Sequence, residues 1–295
     1  MKVFLASCAE LPESDGDDDA VVDALADLGV HADWAPWDSG ADFASADLVV
    51  LRSTWDYTER LPEFLAWCAS VPRLANPLPV VRWNTDKSYM VELADAGVPT
   101  VPTTLLVPGD EPEWPAGEFV LKPAVGVGSV GVLRVADGDR AAADAHWKAL
   151  DAKALLQPYQ ATVDQHGETA LVFLGGQYSH AFTKGAMLAP GGAGNRTTTG
   201  ELDPTGLFAV ERLSPATPDA ARRRVAEDAV DATAKLLGVR RADLLYARVD
   251  LVTGAHGSPL LLELELTEPS LGFRETDPAA AHRFASAIRA ALRDR

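Results

Sequence analysis

Residues 244–270 read LLYARVDLVTGAHGSPLLLELELTEPS, and the fold turns on how this stretch is arranged. Arg248 and Asp250 are two apart, as are Glu263 and Glu265, so each pair shares one face of an extended strand. The intervening TGAHGS is a turn. Centred near His256–Gly257, it sets Asp250 opposite Glu263 and Arg248 opposite Glu265, and directly opposed residues of an antiparallel pair point to the same side. Three carboxylates and one guanidinium then crowd one face of a hairpin whose other face is leucine and valine. Like charges ~4 Å apart repel by several kcal/mol at intermediate dielectric, and burying them unpaired costs more. A divalent cation relieves the crowding, and oxygen donors without histidine or thiolate indicate a hard ion, Mg²⁺ or Mn²⁺. The alternative is a solvent-facing strand of alternating charge, which fits a single Glu-x-Glu but poorly fits a matched Arg-x-Asp beside it.

Upstream, GVGSVG at Gly126–Gly131 matches G-x-G-x-x-G, but it lies between the strand FVLKPA and a second extended segment, VGVLRVAD. That context argues against a dinucleotide fold. A glycine loop between two strands can fold over a triphosphate as a flap, with backbone N–H groups facing the oxygens. Lys122, on the strand before the loop, would set an ammonium against those phosphates; taken alone, the loop reads as well as a plain glycine hairpin. Lys87 opens a helix in NTDKSYM after Thr85 or Asp86, so helix terminus and ammonium together suit an anion. Lys184 ends a hairpin formed by Ala170–Leu174 and Gln177–Lys184 around Gly175–Gly176. For any one of these lysines a solvated surface position is the default, and it is their joint placement that is suggestive.

The rest of the chain supplies the frame. Val3–Ser7, His31–Trp37, Leu48–Leu51 and Leu74–Pro77 read as strands, with helices over Ala20–Leu28, closed by Gly29, and over Pro62–Ala69. This order predicts a small open parallel sheet. A second unit carries a helix over Ser88–Ala96, strands at Thr103–Val107, Glu118–Lys122 and Val130–Val135, a helix over Ala141–Leu150 and a strand at Ala154–Gln157. Residues 185–217 are rich in Gly, Thr and Pro without periodicity, the mark of a functional or mobile loop. A helix over Pro218–Leu237, with Thr217 as cap and Gly238 at its end, and a last helix over Pro278–Leu292 complete the reading. The fold class is α/β (α+β), divided into an α/β unit at 1–85, a central unit at 86–160 and a C-terminal antiparallel-sheet unit at 161–295. RSTWDY at 52–57 follows an apolar strand, where open α/β sheets bind ligands, so Arg52, Ser53, Thr54 and Trp55 are substrate candidates. A tryptophan-anchored loop explains them equally well.

Composition excludes several classes. With 26 basic against 43 acidic residues the net charge is −17, a surface that repels nucleic-acid backbones while leaving room for ATP beside a few lysines and metal ions. No apolar run is long enough to span a bilayer. The amino terminus reads as a strand and loop instead of a signal peptide, so a cytoplasmic protein is expected. Cys8 and Cys68 have no metal spacing, and the six histidines are scattered, so neither a disulfide framework nor a zinc site is expected.

Taken in order, Lys87, VLKP with Lys122, the glycine loop, LLQPY, RVD and LELEL resemble the ATP-grasp superfamily. They are similar to its ribosomal-protein glutamate ligase, glutathione synthetase and D-alanine–D-alanine ligase branches. The resemblance covers nearly all of the chain from about Trp83. It implies a Rossmann-like pre-ATP-grasp domain at 1–85, a lid subdomain at 86–160 and a catalytic subdomain at 161–295. It further implies that Lys87 and Lys122 hold the α- and β-phosphates and that Gly126–Gly131, with Gly128 and Ser129, is the flap. Gln157, Pro158 and Tyr159 would form the adenine hinge, Glu168 would meet the ribose and Lys184 would reach a phosphate. Asp250, Glu263 and Glu265 would hold Mg²⁺, and Arg248 would stabilise acyl transfer. The last ligand is often asparagine in the family; here it is Glu265. Arg196 in the 185–217 loop and Ser270 join Arg52, Ser53 and Trp55 as substrate residues. TEPSLGF departs from the common asparagine-and-glycine ending, and with RSTWDY it looks like a subgroup that includes the cycloserine-forming O-ureido-serine cyclo-ligase.

The implied activity is ADP-forming carboxylate–amine ligation on small molecules: a carboxylate takes the γ-phosphoryl group, and an amine-type nucleophile attacks the acyl phosphate. Homodimers are common in the family, and the sequence leaves the oligomeric state open. The rivals are a peptide- or protein-modifying ligase, a carboxylate-pair glycosidase, which would leave the lysines and glycine loop idle, and a non-catalytic ATP-binding scaffold.

Overall fold

The computed structural model describes residues 1–188, 204–208, 210–274 and 276–293. Strands β1 (Lys2–Ser7), β2 (His31–Pro36), β3 (Leu48–Ser53) and β4 (Leu74–Ala75) form a parallel sheet in the order β2-β1-β3-β4. β1 and β3 are buried almost throughout, as strands covered on both faces must be. Around them lie α1 (Asp19–Asp27) and α2 (Leu61–Ser70), followed by α3 (Leu78–Asn84) and α4 (Tyr89–Asp95). The sequence reading passed over α3, because Pro77 and Pro79 look like breakers. A proline in the first helical turn is tolerated, since its missing N–H would be unpaired there anyway, and Val80 and Val81 bury themselves behind it.

A second sheet is wholly antiparallel. It contains β5 (Thr104–Leu106), β6 (Phe119–Pro123), β7 (Leu133–Val135) and β8 (Ala154–Pro158), ordered β5-β8-β6-β7 and backed by α5 (Arg140–Leu150). Trp114, Phe119, Leu121 and Trp147 fill its core. β7 starts three residues later than expected, because the glycine loop runs on to Val132.

After the single turn α6 (Val163–His166), the third sheet takes β9 (Glu168–Leu174), β10 (Gln177–Lys184), β11 (Leu213–Pro215), β12 (Tyr246–Thr253) and β13 (Pro259–Glu265), ordered β11-β10-β9-β12-β13. α7 (Ala220–Leu237) and α8 (Ala280–Arg293) flank it. The cap of α7 is Asp219, not Thr217: its carboxylate accepts from the Arg222 N–H at 2.7 Å, and Gly238 closes the helix. The β12–β13 register is the expected one, Arg248 opposite Glu265 and Asp250 opposite Glu263. Leu251 then opposes Leu261, so Leu262 is the extra residue of a bulge.

β13 is an edge strand: Leu261 pairs outward with the Pro99 carbonyl and the Val101 N–H, and the groups from Leu264 on are met by side chains of the first ninety residues. Asn84 donates to the Leu264 carbonyl at 2.7 Å and accepts from the Leu266 N–H at 2.7 Å, while Tyr89 accepts from the Leu264 N–H at 3.1 Å. Asn76 bridges the Tyr246 and Leu266 carbonyls in the same way. The first and third sheets also share one core, in which Val3, Leu5 and Leu25 meet Tyr246, Phe284 and Ile288. Replacing Asn84 with alanine strands two buried backbone groups, so Asn84→Ala should lower unfolding free energy by about 3 kcal/mol, read from the midpoint of a urea denaturation curve. No described helix is long and apolar enough to cross a membrane.

Candidate active site

A cleft of about 660 Å³ opens between the second and third sheets, with the 52–57 segment at one side. β6 brings Lys122, the α3–α4 junction brings Lys87, β10 brings Lys184, and β12 and β13 bring Arg248, Glu263 and Glu265. Gly126, Gly128, Ser129, Gln157, Pro158, Tyr159, Glu168, Trp55 and Ser270 line the same space. Asp250 sits behind it with no exposure, reached by Lys184 and Arg248.

Charges alternate along this wall. Lys184 Nζ lies 2.6 Å from Asp250 and 3.0 Å from Glu168. Arg248 grips Asp250 through two nitrogens at 3.0 Å, bonds Glu265, and donates to the Ser270 carbonyl at 2.9 Å. Lys87 Nζ is 3.1 Å from Glu263 and donates to the Gly126 carbonyl at 2.5 Å. Burial works against each charge, and the partners decide the outcome. For Glu263, burial is outweighed by Lys87, Lys122 and Lys184, which hold the carboxyl down at about 2. For Asp250, Arg248 and Lys184 likewise win, and the carboxyl lies below its ordinary range. Glu265 goes the other way: burial beside Glu263 and Asp250 pushes it up to about 8. Lys122 is lowered by burial and by repulsion from Lys87 and Lys184, its nearest carboxylate being Glu263 at 4.0 Å. The wall is therefore short of positive charge at Glu265 and short of negative charge at Lys122.

That imbalance is the test of fit for a hard cation and a phosphate chain. The donors are all oxygen, and Glu265 lacks the charge a divalent ion would supply. Among the described residues no three His, Cys, Asp or Glu groups converge as an ion site in this arrangement, because ammonium and guanidinium groups occupy the carboxylates.

The glycine loop joins β6 to β7 without a helix, and Gly128 has φ +60 with its Cα against Phe208, where a Cβ would come within 2.7 Å. Phe208 meets Trp55 edge-on at 4.7 Å. At the β8 end, Arg134 lies 3.6 Å over the Tyr159 ring and pairs with Glu118 and Asp164, which fixes the tyrosine. Lys87 stands two residues before α4, whose N-cap is Ser88, so it does not open the helix as expected.

Other expected residues lie elsewhere. Arg52 is buried on the first sheet with its guanidinium 2.9 Å from Asp18 and over Tyr246 and Phe284, and it does not reach the cleft lining. Ser53 is similarly turned away, donating to the Leu11 carbonyl. Thr54 is buried too. Arg196 falls outside the described residues.

In the segment that follows β13, sequence reasoning singled out TEPSLGF and Ser270 but missed Glu268 and the contacts that hold the segment. Residues 267–274 are held by their backbone from several directions. Tyr246 donates to the Thr267 carbonyl at 2.7 Å, Trp55 to that of Glu268 at 2.9 Å, and His180 to that of Leu271 at 2.7 Å. Asp17 accepts from the N–H groups of Leu271, Gly272 and Arg274 and from the Ser270 hydroxyl, at 2.9–3.2 Å. Gly272, at φ +64, passes so close to Phe182 that a Cβ would lie 2.8 Å from its ring. Glu268 and Ser270 are thus presented to the cleft on a fixed strip. In the sequence, Asp17 belongs to the amino-terminal loop, and its role comes from partners about 250 residues away.

Residues 3–77 match the family model described as D-cycloserine synthetase DcsG, N-terminal domain. The chain is 40% identical to the cycloserine biosynthesis protein DcsG of Streptomyces lavendulae, over 91% of each chain. It is similar to the crystal structure of D-cycloserine synthetase DcsG at 38% identity and a TM-score of 0.86, covering 99% of this chain and all of that one. D-alanine–D-alanine ligase from Bacillus anthracis has the same fold at 15% identity, with a TM-score of 0.65 over 99% and 97% of the two chains.

Proposed function

The chain belongs to the D-cycloserine synthetase family of ATP-grasp ligases, and from that premise we propose that it uses ATP to activate the carboxylate of O-ureido-serine and closes the cycloserine ring. The carboxylate oxygen takes the γ-phosphoryl group and ADP leaves. The oxygen-bound nitrogen of the same molecule, giving up its proton, then forms the ring C–N bond as phosphate departs, and water removes the carbamoyl group, which cycloserine lacks, as carbon dioxide and ammonia.

The observation that carries this reading is the wall on which Lys87, Lys122, Lys184 and Arg248 interleave with Glu263, Glu265 and Asp250 beside a glycine loop. Lys87 and Lys122 bind the phosphate chain, Lys122 being the ammonium most in need of an anion. Gly126–Gly131 covers the phosphates with its N–H groups. Gln157, Pro158 and Tyr159 receive the adenine and Glu168 the ribose. Lys184 steadies the transferring group, and Arg248, held by Asp250 and the Ser270 carbonyl, faces the oxyanion of acyl transfer. Asp250, Glu263 and Glu265 would hold Mg²⁺, which when bound draws charge off the phosphoryl oxygens.

Wild-type protein with ATP, Mg²⁺ and O-ureido-serine should release ADP in step with cycloserine, and D-alanine should release none. ADP release indifferent to the amino acid, or none with O-ureido-serine, would count against this substrate.

A further inference from the structure

Five glutamates line the cleft, Glu168, Glu211, Glu263, Glu265 and Glu268, and the last differs from the others in one respect. The first four each have an ammonium or guanidinium nitrogen within 3.7 Å. Glu268 is 7% exposed, yet among the described residues it has no cationic nitrogen within 4.0 Å. Its carboxylate instead faces the Tyr57 hydroxyl. A carboxylate buried without a counter-charge is costly, and this one is held in place deliberately: Trp55 fixes its carbonyl, and Asp17, His180 and Arg248 fix the residues after it. The strip cannot swing Glu268 out to solvent.

Resting on the amino-acid substrate argued above, we propose that Glu268 is the anchor for the α-ammonium group of the substrate and makes the cleft select an amino acid over a plain carboxylic acid. The ligand then brings the missing cation. Arg248 and Lys87, which favour the substrate's carboxylate and phosphates, stand on the neighbouring strand and junction, so the two ends of a small amino acid meet opposite charges. Burial pushes the Glu268 carboxyl up to about 7, against the field of Lys87, and an ammonium in contact keeps it ionised.

Calorimetric titration with O-ureido-serine and with its desamino analogue reads the anchor directly. Wild type should bind the amino acid about tenfold or more tighter, the worth of one charge-assisted hydrogen bond. Glu268→Gln keeps the shape and an oxygen toward Tyr57 and should bind the two ligands equally, while Glu268→Asp restores part of the preference. ATP affinity should hold within about twofold in all three proteins. A preference that survives in Glu268→Gln overturns the anchor, as does a wild type that never discriminates. A fall in kcat with the preference intact would make Glu268 a proton acceptor instead, and also overturns it. ADP release measured in parallel separates the two readings. Wild type that discriminates but releases no ADP fails the ligase reading alone; turnover with discrimination unchanged by Glu268→Gln fails the anchor alone.

Discussion

Lys184→Met should lower the unfolding free energy by about 3–5 kcal/mol, the cost of stripping one partner from a buried ion pair. Lys184 is almost wholly buried and lies against Asp250, which has no exposure, and against Glu168. Methionine fills the stem but leaves both carboxylates facing Arg248 alone or nothing. Burial by itself drives the lysine down and Asp250 up; each is held charged only by the other and by its immediate neighbours. Adding Asp250→Asn to Lys184→Met should therefore recover part of the loss, and urea unfolding of the two single variants and the double variant gives the coupling. Losses that simply add would mean the pair is not coupled.

Glu263→Gln should reduce the rate of ADP release by roughly 10²–10³-fold. Glu263 is the carboxylate on which Lys87 and Lys122 both converge, at 3.1 and 4.0 Å, and three lysines hold it ionised at about 2. Glutamine is isosteric and neutral, so the lysines lose their shared partner and repel one another. A metal-holding role adds a second signature: the Mg²⁺ concentration for half-maximal activity should rise in Glu263→Gln. Unchanged Mg²⁺ dependence alongside the rate loss would assign Glu263 to lysine placement only.

The parts of this site that could be read from sequence are those whose geometry is local. Period-two spacing and one short turn fix which of Arg248, Asp250, Glu263 and Glu265 face one another, and the register agrees even though a bulge follows Asp250. The glycine loop between two strands is legible for the same reason. What could not be read depends on partners far along the chain. Arg52 follows an apolar strand and looks available, but Asp18 claims it in the core. Glu268 looks like one more residue of a charged run, and among the cleft glutamates it differs in having no cationic nitrogen of the described residues within 4.0 Å. Helix α3 was hidden by prolines that its first turn accommodates.

The strip at 267–274 is tied to Asp17 at one extreme of the chain and to His180 in the middle. Such contacts close loops of about 90 and 250 residues, and their entropy must be lost before the bonds form. Lys87, Lys122 and Lys184 all precede this strip in the chain, so on the proposed roles the residues for the nucleotide are synthesised before the wall proposed to hold the amino acid. On the same proposal, a fragment ending before residue 267 would lack the ammonium anchor altogether.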